Sequence, residues 1–287
     1  MSVELCGIAL AHPVINGSGT FDVVAARHVF GAAVDQRFPF SAFVSKTITL
    51  QPRLGNPPPR LFETAAGLIN SIGLPNRGLA GYLEHDLPQL ATLPVPLITN
   101  VMGSNADEVG QLFEALEPRS EIAAIELNVS CPNVKTGLDI GSDPAELSKL
   151  LSLVRAKTSK PLIVKLTPNT ANVALVARAA EGAGADAVSL INTLRAFAAD
   201  PARPGRAWLG GGSGGQSGPA IRAVALAQTS AVAAAVQLPI VAMGGITNAA
   251  NGQQFLDAGA RVIAVGTENF RDPLTAAKIA AGLAAKA

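Results

Sequence analysis

Short aliphatic runs recur along the chain, each closing on a small or polar residue and each separated from the next by a longer stretch. In order they are Val14-Ile-Asn16, Phe43-Val-Ser-Lys46, Leu97-Ile-Thr-Asn100, Ile125-Glu-Leu-Asn128, Leu162-Ile-Val-Lys165, Val188-Ser-Leu-Ile-Asn192, Ile240-Val-Ala-Met-Gly244 and Val262-Ile-Ala-Val-Gly266. Runs that are apolar throughout, rather than at alternate positions, suit strands of a parallel sheet buried on both faces. Between them lie helical patterns. Asn105 to Leu116 opens on an Asn cap with acidic residues in the first turn. Asp143-Pro144-Ala-Glu146 puts Pro at the first helical position ahead of Leu147, Leu150, Leu151 and Val154. Ala174 to Ala183 runs into Gly184, as a helix closed by a left-handed cap would. Eight strand–helix units over this length predict an α/β fold of the closed (β/α)₈ barrel type, a TIM barrel.

Two stretches exceed the minimal repeat. Leu50 to Pro96, between the second and third strands, holds Pro57-Pro58-Pro59 and Gly67-Leu-Ile-Asn-Ser-Ile-Gly-Leu-Pro-Asn76; an apolar insertion of this size is expected to cover the C-terminal mouth of the barrel. Thr193 to Gly218 carries Gly210-Gly-Gly-Ser-Gly-Gly215, which matches G-x-G-x-x-G without following a strand, so it reads as a mobile loop and not as a dinucleotide fingerprint. Nothing divides the chain, and residues 1–287 are expected to form a single domain.

Composition narrows the class of function. Of 287 residues 48% are hydrophobic and 15% charged, with a net charge of +1, so a large core is available and no basic field invites nucleic acid. Cys6 and Cys131, the two cysteines, support neither a disulfide framework nor a metal or iron–sulfur site, which suits a reducing, cytoplasmic setting. The N-terminus has no signal-peptide pattern. Residues 223–255 carry no charge, but Pro239 and Gly244-Gly245 break them into a helix and a strand, so no membrane span is expected.

In a barrel of this type the site lies at the C-terminal strand ends. Those ends supply Ser18, Lys46, Asn100, Asn128, Lys165, Asn192, Gly244 and Thr267. Lysines lining a mouth imply an anionic ligand, because a buried ammonium without a partner is costly. Asparagine pairs a donor with an acceptor and suits the edge of a planar amide ring. Gly244-Gly245 and Gly266-Thr267 either bind a phosphate through backbone N–H groups or only form tight turns. Beyond the fourth strand the polar turn Ser130-Cys-Pro-Asn133 places Cys131 at the mouth. A lone Cys is usually a small core hydrophobe, but here it stands among polar strand ends. Its unperturbed pKa of about 8.5 makes the thiolate accessible at neutral pH for roughly 2 kcal/mol, so it can serve as a base.

Asn128-Val-Ser-Cys-Pro-Asn133, Asn70-Ser-Ile-Gly-Leu-Pro-Asn76, Gly55-Asn-Pro-Pro-Pro-Arg60, Ile191-Asn-Thr193, Ser217-Gly-Pro-Ala-Ile221, Met243-Gly-Gly-Ile246 and Gly266-Thr267 together resemble the class 1 dihydroorotate dehydrogenases. Ile191-Asn-Thr-Leu194, Ser217-Gly-Pro-Ala-Ile221 and Asn269-Phe-Arg-Asp-Pro273 look more like class 1B than class 1A, although Pro75 stands where class 1B members often have Gln. The resemblance implies oxidation of (S)-dihydroorotate to orotate in pyrimidine biosynthesis, with hydride passing to FMN and Cys131 as general base. It implies that Lys46 touches both flavin and substrate, and that Asn70, Ser71, Ile72, Gly73, Leu74, Asn128, Asn133, Asn192 and Thr193 hold orotate. It gives FMN to Ser18, Gly19, Lys46, Thr47, Asn100, Asn128, Lys165, Ile191, Gly218, Gly244, Gly245, Gly266 and Thr267.

Class 1B resemblance further implies a partner subunit carrying FAD and an iron–sulfur cluster that passes electrons to NAD, with a homodimer, or a heterotetramer including that partner, as the assembly. Class 1A would instead imply a fumarate-linked homodimer. A dihydropyrimidine dehydrogenase-like enzyme and a flavin-free phosphate-binding lyase or isomerase are the other readings. Cys6, in a strand-like N-terminal segment, and His12, His28 and His85, away from every strand end, read as structural; Trp208 is left open between covering the flavin and meeting a partner.

Overall fold

The computed structural model describes residues 2–130 and 140–285. In chain order its strands are β1 (Val3–Leu5), β2 (Ile8–Leu10), β3 (Val14–Asn16), β4 (Phe43–Val44), β5 (Leu61–Thr64), β6 (Gly67–Asn70), β7 (Leu97–Val101), β8 (Ile122–Asn128), β9 (Leu162–Lys165), β10 (Ala187–Leu190), β11 (Leu194–Ala196), β12 (Gly214–Ser217), β13 (Ile240–Met243) and β14 (Val262–Val265). All eight expected runs form strands. They join in one parallel sheet in the order β3-β14-β13-β10-β9-β8-β7-β4, the (β/α)₈ arrangement.

At the seam between β3 and β4 a side chain does much of the work of a backbone ladder. Asn16, fully buried, donates through Nδ2 to the Val44 carbonyl at 2.8 Å and accepts at Oδ1 from Val44 N at 2.8 Å. Its amide thus copies the donor–acceptor pair of a strand residue, and Ser41 N adds a bond to the Val14 carbonyl at 3.0 Å.

Two apolar shells follow from the alternation of side chains along each strand. Inward-facing Ile15, Val44, Ile98, Ala124, Ile163, Ala187, Val241, Val262 and Ala264 fill the barrel. Outward-facing Val14, Phe43, Leu97, Ile125, Leu127, Leu162, Val164, Val188 and Ile263 pack under the helices. The β1–β2 hairpin closes the N-terminal end with Leu5 and Leu10, both buried in the inner shell. Cys6 lies in its turn at φ 51°, not in a strand as its apolar neighbours suggested, because the chain reverses there through Gly7 at φ 79°.

The expected helices also form, as Ala106–Leu116, Pro144–Arg155 and Val173–Gly182. Asn105 accepts from Glu108 N at 2.9 Å, Asp143 from Ala145 N at 2.8 Å and Glu146 N at 3.3 Å, and Asn172 from Leu175 N at 3.2 Å, capping orphan donors of each first turn. Among the described residues no helix is long and apolar enough to cross a membrane.

The stretch expected to be a mobile loop is instead structured. β11 and β12 join β6 and β5 in a four-stranded antiparallel sheet of order β11-β12-β6-β5, so the 193–218 segment and the 50–96 insertion form one cover. Glycine is what allows this pairing: a Cβ on Gly214 would lie 2.5 Å from the Asn70 carbonyl oxygen. Ile69, Ala198 and Leu209 make a small core of their own beneath this sheet. Trp208 packs edge-on against Phe62 of β5, with ring centroids 6.2 Å apart, and is not among the residues lining the mouth cavity.

Candidate active site

A cavity of about 650 Å³ opens at the C-terminal strand ends beneath the four-stranded cover. The barrel strands stop one or two residues before several expected polar ends, so Lys46 after β4 and Asn192 after β10 ride on the loops that rim the cavity. Of the residues named for flavin, Ser18, Gly19, Lys46, Thr47, Asn128, Lys165, Ile191, Gly218, Gly244, Gly245, Gly266 and Thr267 line it. Of those named for substrate, Lys46, Asn70, Ile72, Leu74, Asn128, Asn192 and Thr193 do so. Ser71, Gly73 and Asn100 are not in the lining: Ser71 is buried with its Oγ accepting from Asn56 Nδ2 at 2.9 Å, and Asn100 is fully buried below the floor. Cys131 and Asn133 lie outside the described residues. The residues on either side of their segment are anchored at the site, since Ser130 lines the cavity and Gly141 N donates to the Val129 carbonyl at 3.0 Å.

The floor is amide-rich and directional. Asn128 Oδ1 accepts from Ser130 N at 3.1 Å and from Asn192 Nδ2 at 3.4 Å, and Asn192 Oδ1 accepts from Thr193 N at 2.8 Å. Their carbonyl oxygens are thus engaged by the chain, and Asn192 Nδ2 is engaged as well, so Asn128 Nδ2 is the amide donor left without a partner among the described residues. Lys165 is buried at 6% exposure, and its ammonium makes no hydrogen bond or ion pair among the described residues. Lys46 stands in the open mouth, yet its proton affinity is lowered. Desolvation by the surrounding walls is the largest cause; Asp22 opposes it and the Arg60 guanidinium adds to it.

At one end of the cavity three loops meet backbone to backbone. Gly244, Gly245 and Gly218 take φ 134°, 71° and 87°, conformations that favour glycine. A Cβ on Gly245 would come within 2.8 Å of the Gly218 carbonyl oxygen, and one on Gly218 within 2.7 Å of Gly67 Cα. Thr267 Oγ1 is hydrogen-bonded to Ser217 Oγ at 2.8 Å, which ties the cover to the loop after β14. Such a cradle of bare backbone with hydroxyls at its edge is suited to a phosphate.

The polar groups left without partners agree with an anionic, ring-shaped occupant. In the lining, Ser130 Oγ is buried and unpaired among the described residues and Lys165 adds an unpaired cation, while Asn100 Oδ1, also unpaired, lies below the floor. Buried polar atoms in folded proteins nearly always have partners, so an unpaired hydroxyl and an unpaired cation in one cavity lining point to a ligand. These donor sets fit a flavin mononucleotide: backbone and hydroxyls for its phosphate, lysine and amides for its ring edge.

Sequence reasoning passed over Ser217, Ser130, Met102 and Phe270, all in the cavity lining, and Glu126 beneath it. Ser217 sits inside a motif quoted above, so its hydroxyl was open to inspection. Glu126 was visible as the one charge ahead of the polar end of Ile125-Glu-Leu-Asn128. A second hollow, about 520 Å³, lies at the opposite pole beside Glu4, Cys6, Asp186 and Arg261. Burial, with Asp186 and Glu4 nearby, pushes the Cys6 thiol up to about 12, and its Sγ donates to the Asp186 carbonyl at 3.3 Å, so this cysteine is no base at neutral pH.

Comparison with known proteins agrees with this geometry. The family model described as dihydroorotate dehydrogenase matches residues 1–286. A Geotalea daltonii protein named "Dihydroorotate dehydrogenase B (NAD(+)), catalytic subunit" is 44% identical over 284 residues, 99% of this chain and 92% of that protein. A Bacillus pumilus protein of the same name is 43% identical over 283 residues, covering 97% and 89%. With a barrel mouth that gathers the family's motif residues and a match along nearly its whole length, the chain belongs to the dihydroorotate dehydrogenase family.

Proposed function

We propose that this chain is the FMN-bearing catalytic subunit of an NAD-linked, class 1B-type dihydroorotate dehydrogenase. The observation that carries this reading is the single cavity in which a backbone cradle, two lysines and the Asn128–Asn192 pair stand together. Bound FMN would supply the acceptor for the hydride leaving C6 of dihydroorotate. Lys46 and the amides of Asn70, Asn128 and Asn192 orient the anionic ring, and Lys165 stabilises negative charge at the ring edge of the cofactor. Cys131, next in sequence to a residue of the cavity wall, takes the C5 proton, so that loss of proton and hydride leaves the C5–C6 double bond of orotate. The cover of β5, β6, β11 and β12 excludes water from the reacting carbons.

Electrons then leave to a partner. Gly214 and Gly215 lie in an antiparallel strand of the cover and not at a strand-to-helix turn, so the glycine run offers this chain no pyrophosphate site of its own. The relatives named as catalytic subunits of NAD(+)-linked enzymes favour a second subunit with FAD and an iron–sulfur cluster, in a heterotetramer built on a homodimer. A reducing, cytoplasmic setting suits both that cluster and a free catalytic thiol. Heat-released cofactor identified by mass as FMN, and turnover with NAD only when the candidate partner is co-expressed, are the expected results. Turnover with fumarate by the chain alone would overturn the partner assignment, and release of no flavin would overturn the cofactor.

A further inference from the structure

Inside the barrel, one layer below the cavity, aliphatic packing is interrupted by a carboxylate. Glu126 is 3% exposed among Ile98, Ala124, Ile163 and Ala187, positions where any residue of suitable volume would pack. It is held by two donors: Asn100 Nδ2 at 2.5 Å on Oε1 and Ser189 Oγ at 2.7 Å on Oε2. Asn100 lies opposite it on β7, while Ser189 is on β10, so the side chain reaches past β9. No cation pairs with it among the described residues. Burying a carboxylate costs several kcal/mol that packing alone would not require.

Its effect on Asn100 is specific. A carboxylate only accepts, so the Asn100 amide must turn its nitrogen toward Glu126, and its backbone N–H is already held by Ser45 Oγ at 3.0 Å. What remains is Asn100 Oδ1, fully buried and without a partner among the described residues. The orientation of that acceptor is therefore imposed from below by Glu126. On β9, Lys165 follows Ile163, the partner of Glu126, by two residues and faces the same side, so the negative group lies one layer beneath the cation.

We propose that Glu126 is a positioning residue beneath the flavin site: it fixes the Asn100 amide below the cavity floor and sets a negative charge one layer under the cavity that disfavours flavin reduction. The inference rests on the proposed FMN site. Glu126→Gln keeps both hydrogen bonds satisfiable and removes the charge, so the fold is retained while the charge and the imposed orientation are lost.

The test is an anaerobic potentiometric titration of FMN-loaded wild type, Glu126→Gln and Glu126→Asp, with melting temperatures in parallel. Glu126→Gln is expected to shift the reduced-to-oxidised ratio toward reduced flavin by about tenfold, equivalent to about 30 mV for a two-electron couple. Glu126→Asp, which keeps the charge, is expected to stay within about threefold of wild type. Ser189→Ala removes a donor but keeps the charge, and should lower the potential; a rise there overturns the proposal even where Glu126→Gln cannot be purified. A flavin-loaded Glu126→Gln with an unchanged potential and only a lower melting temperature would make Glu126 a packing residue. A wild-type chain that takes up no FMN would instead overturn the flavin site itself, and this inference with it.

Discussion

The cradle at the end of the cavity can be separated from ordinary turn geometry by comparing two glycines with nearly the same positive φ. Gly245 and Gly205 sit at φ 71° and 75°, so alanine meets a left-handed penalty at each, about 1–2 kcal/mol. Reduced freedom of the unfolded chain offsets about 0.4–1 kcal/mol of it at each site. Their surroundings differ. A Cβ on Gly205 meets nothing within 4 Å, whereas one on Gly245 meets the Gly218 carbonyl oxygen at 2.8 Å, Arg222 Cβ at 2.9 Å and Pro219 Cα at 3.1 Å. Two of these atoms are backbone, so relief requires the 218–219 loop to move, and overpacking of this kind costs about 1–3 kcal/mol. If that loop binds phosphate, the excess is paid in cofactor affinity at about tenfold per 1.4 kcal/mol. Titration of apoprotein with FMN by fluorescence quenching is expected to show Gly245→Ala weakened by about 5- to 100-fold and Gly205→Ala within about twofold of wild type. Equal affinities for the two variants would refute the cradle, whatever their melting temperatures.

Two further outcomes follow from the site. Cys131→Ser is expected to slow flavin reduction by dihydroorotate by about 10²- to 10⁴-fold in stopped flow, the usual worth of a general base; near wild-type rates would remove Cys131 from the reaction. Desolvation lowers the pKa of Lys46 in the free protein, and kcat/KM reports the free enzyme, so its alkaline limb should fall below the ordinary lysine range. The sign is that of lost cation as pH rises through the lowered pKa, and Lys46→Arg, always charged, should move or abolish the limb; an unmoved limb in that variant would assign it to another group.

The barrel was legible because its strands are apolar on both faces, and this leaves runs that no surface strand would have. Their polar ends were legible for the same reason: Lys46, Asn100, Asn128, Lys165 and Asn192 each terminate a run that burial would otherwise continue. The cover was half visible. The insertion announced itself by length and apolarity, but β12 is built from Gly214 and Gly215, whose value is the absence of a side chain, and hydrophobic periodicity has no signal for that. The Asn16 seam was hidden in the same way, since a buried amide replacing a ladder bond looks in sequence like any strand end. Asn100 shows the limit of reading strand ends: the position was found, but its place below the floor depends on Glu126 and Ser189, contacts between strands 26 and 63 residues apart in sequence.

Anaerobic addition of (S)-dihydroorotate to the purified FMN-loaded chain, followed by absorbance, bears on the whole reading at once. The expected result is bleaching of the oxidised flavin band with one orotate formed per flavin. A flavin that bleaches with dithionite but not with dihydroorotate, or that prefers a dihydropyrimidine lacking the carboxylate, would contradict it.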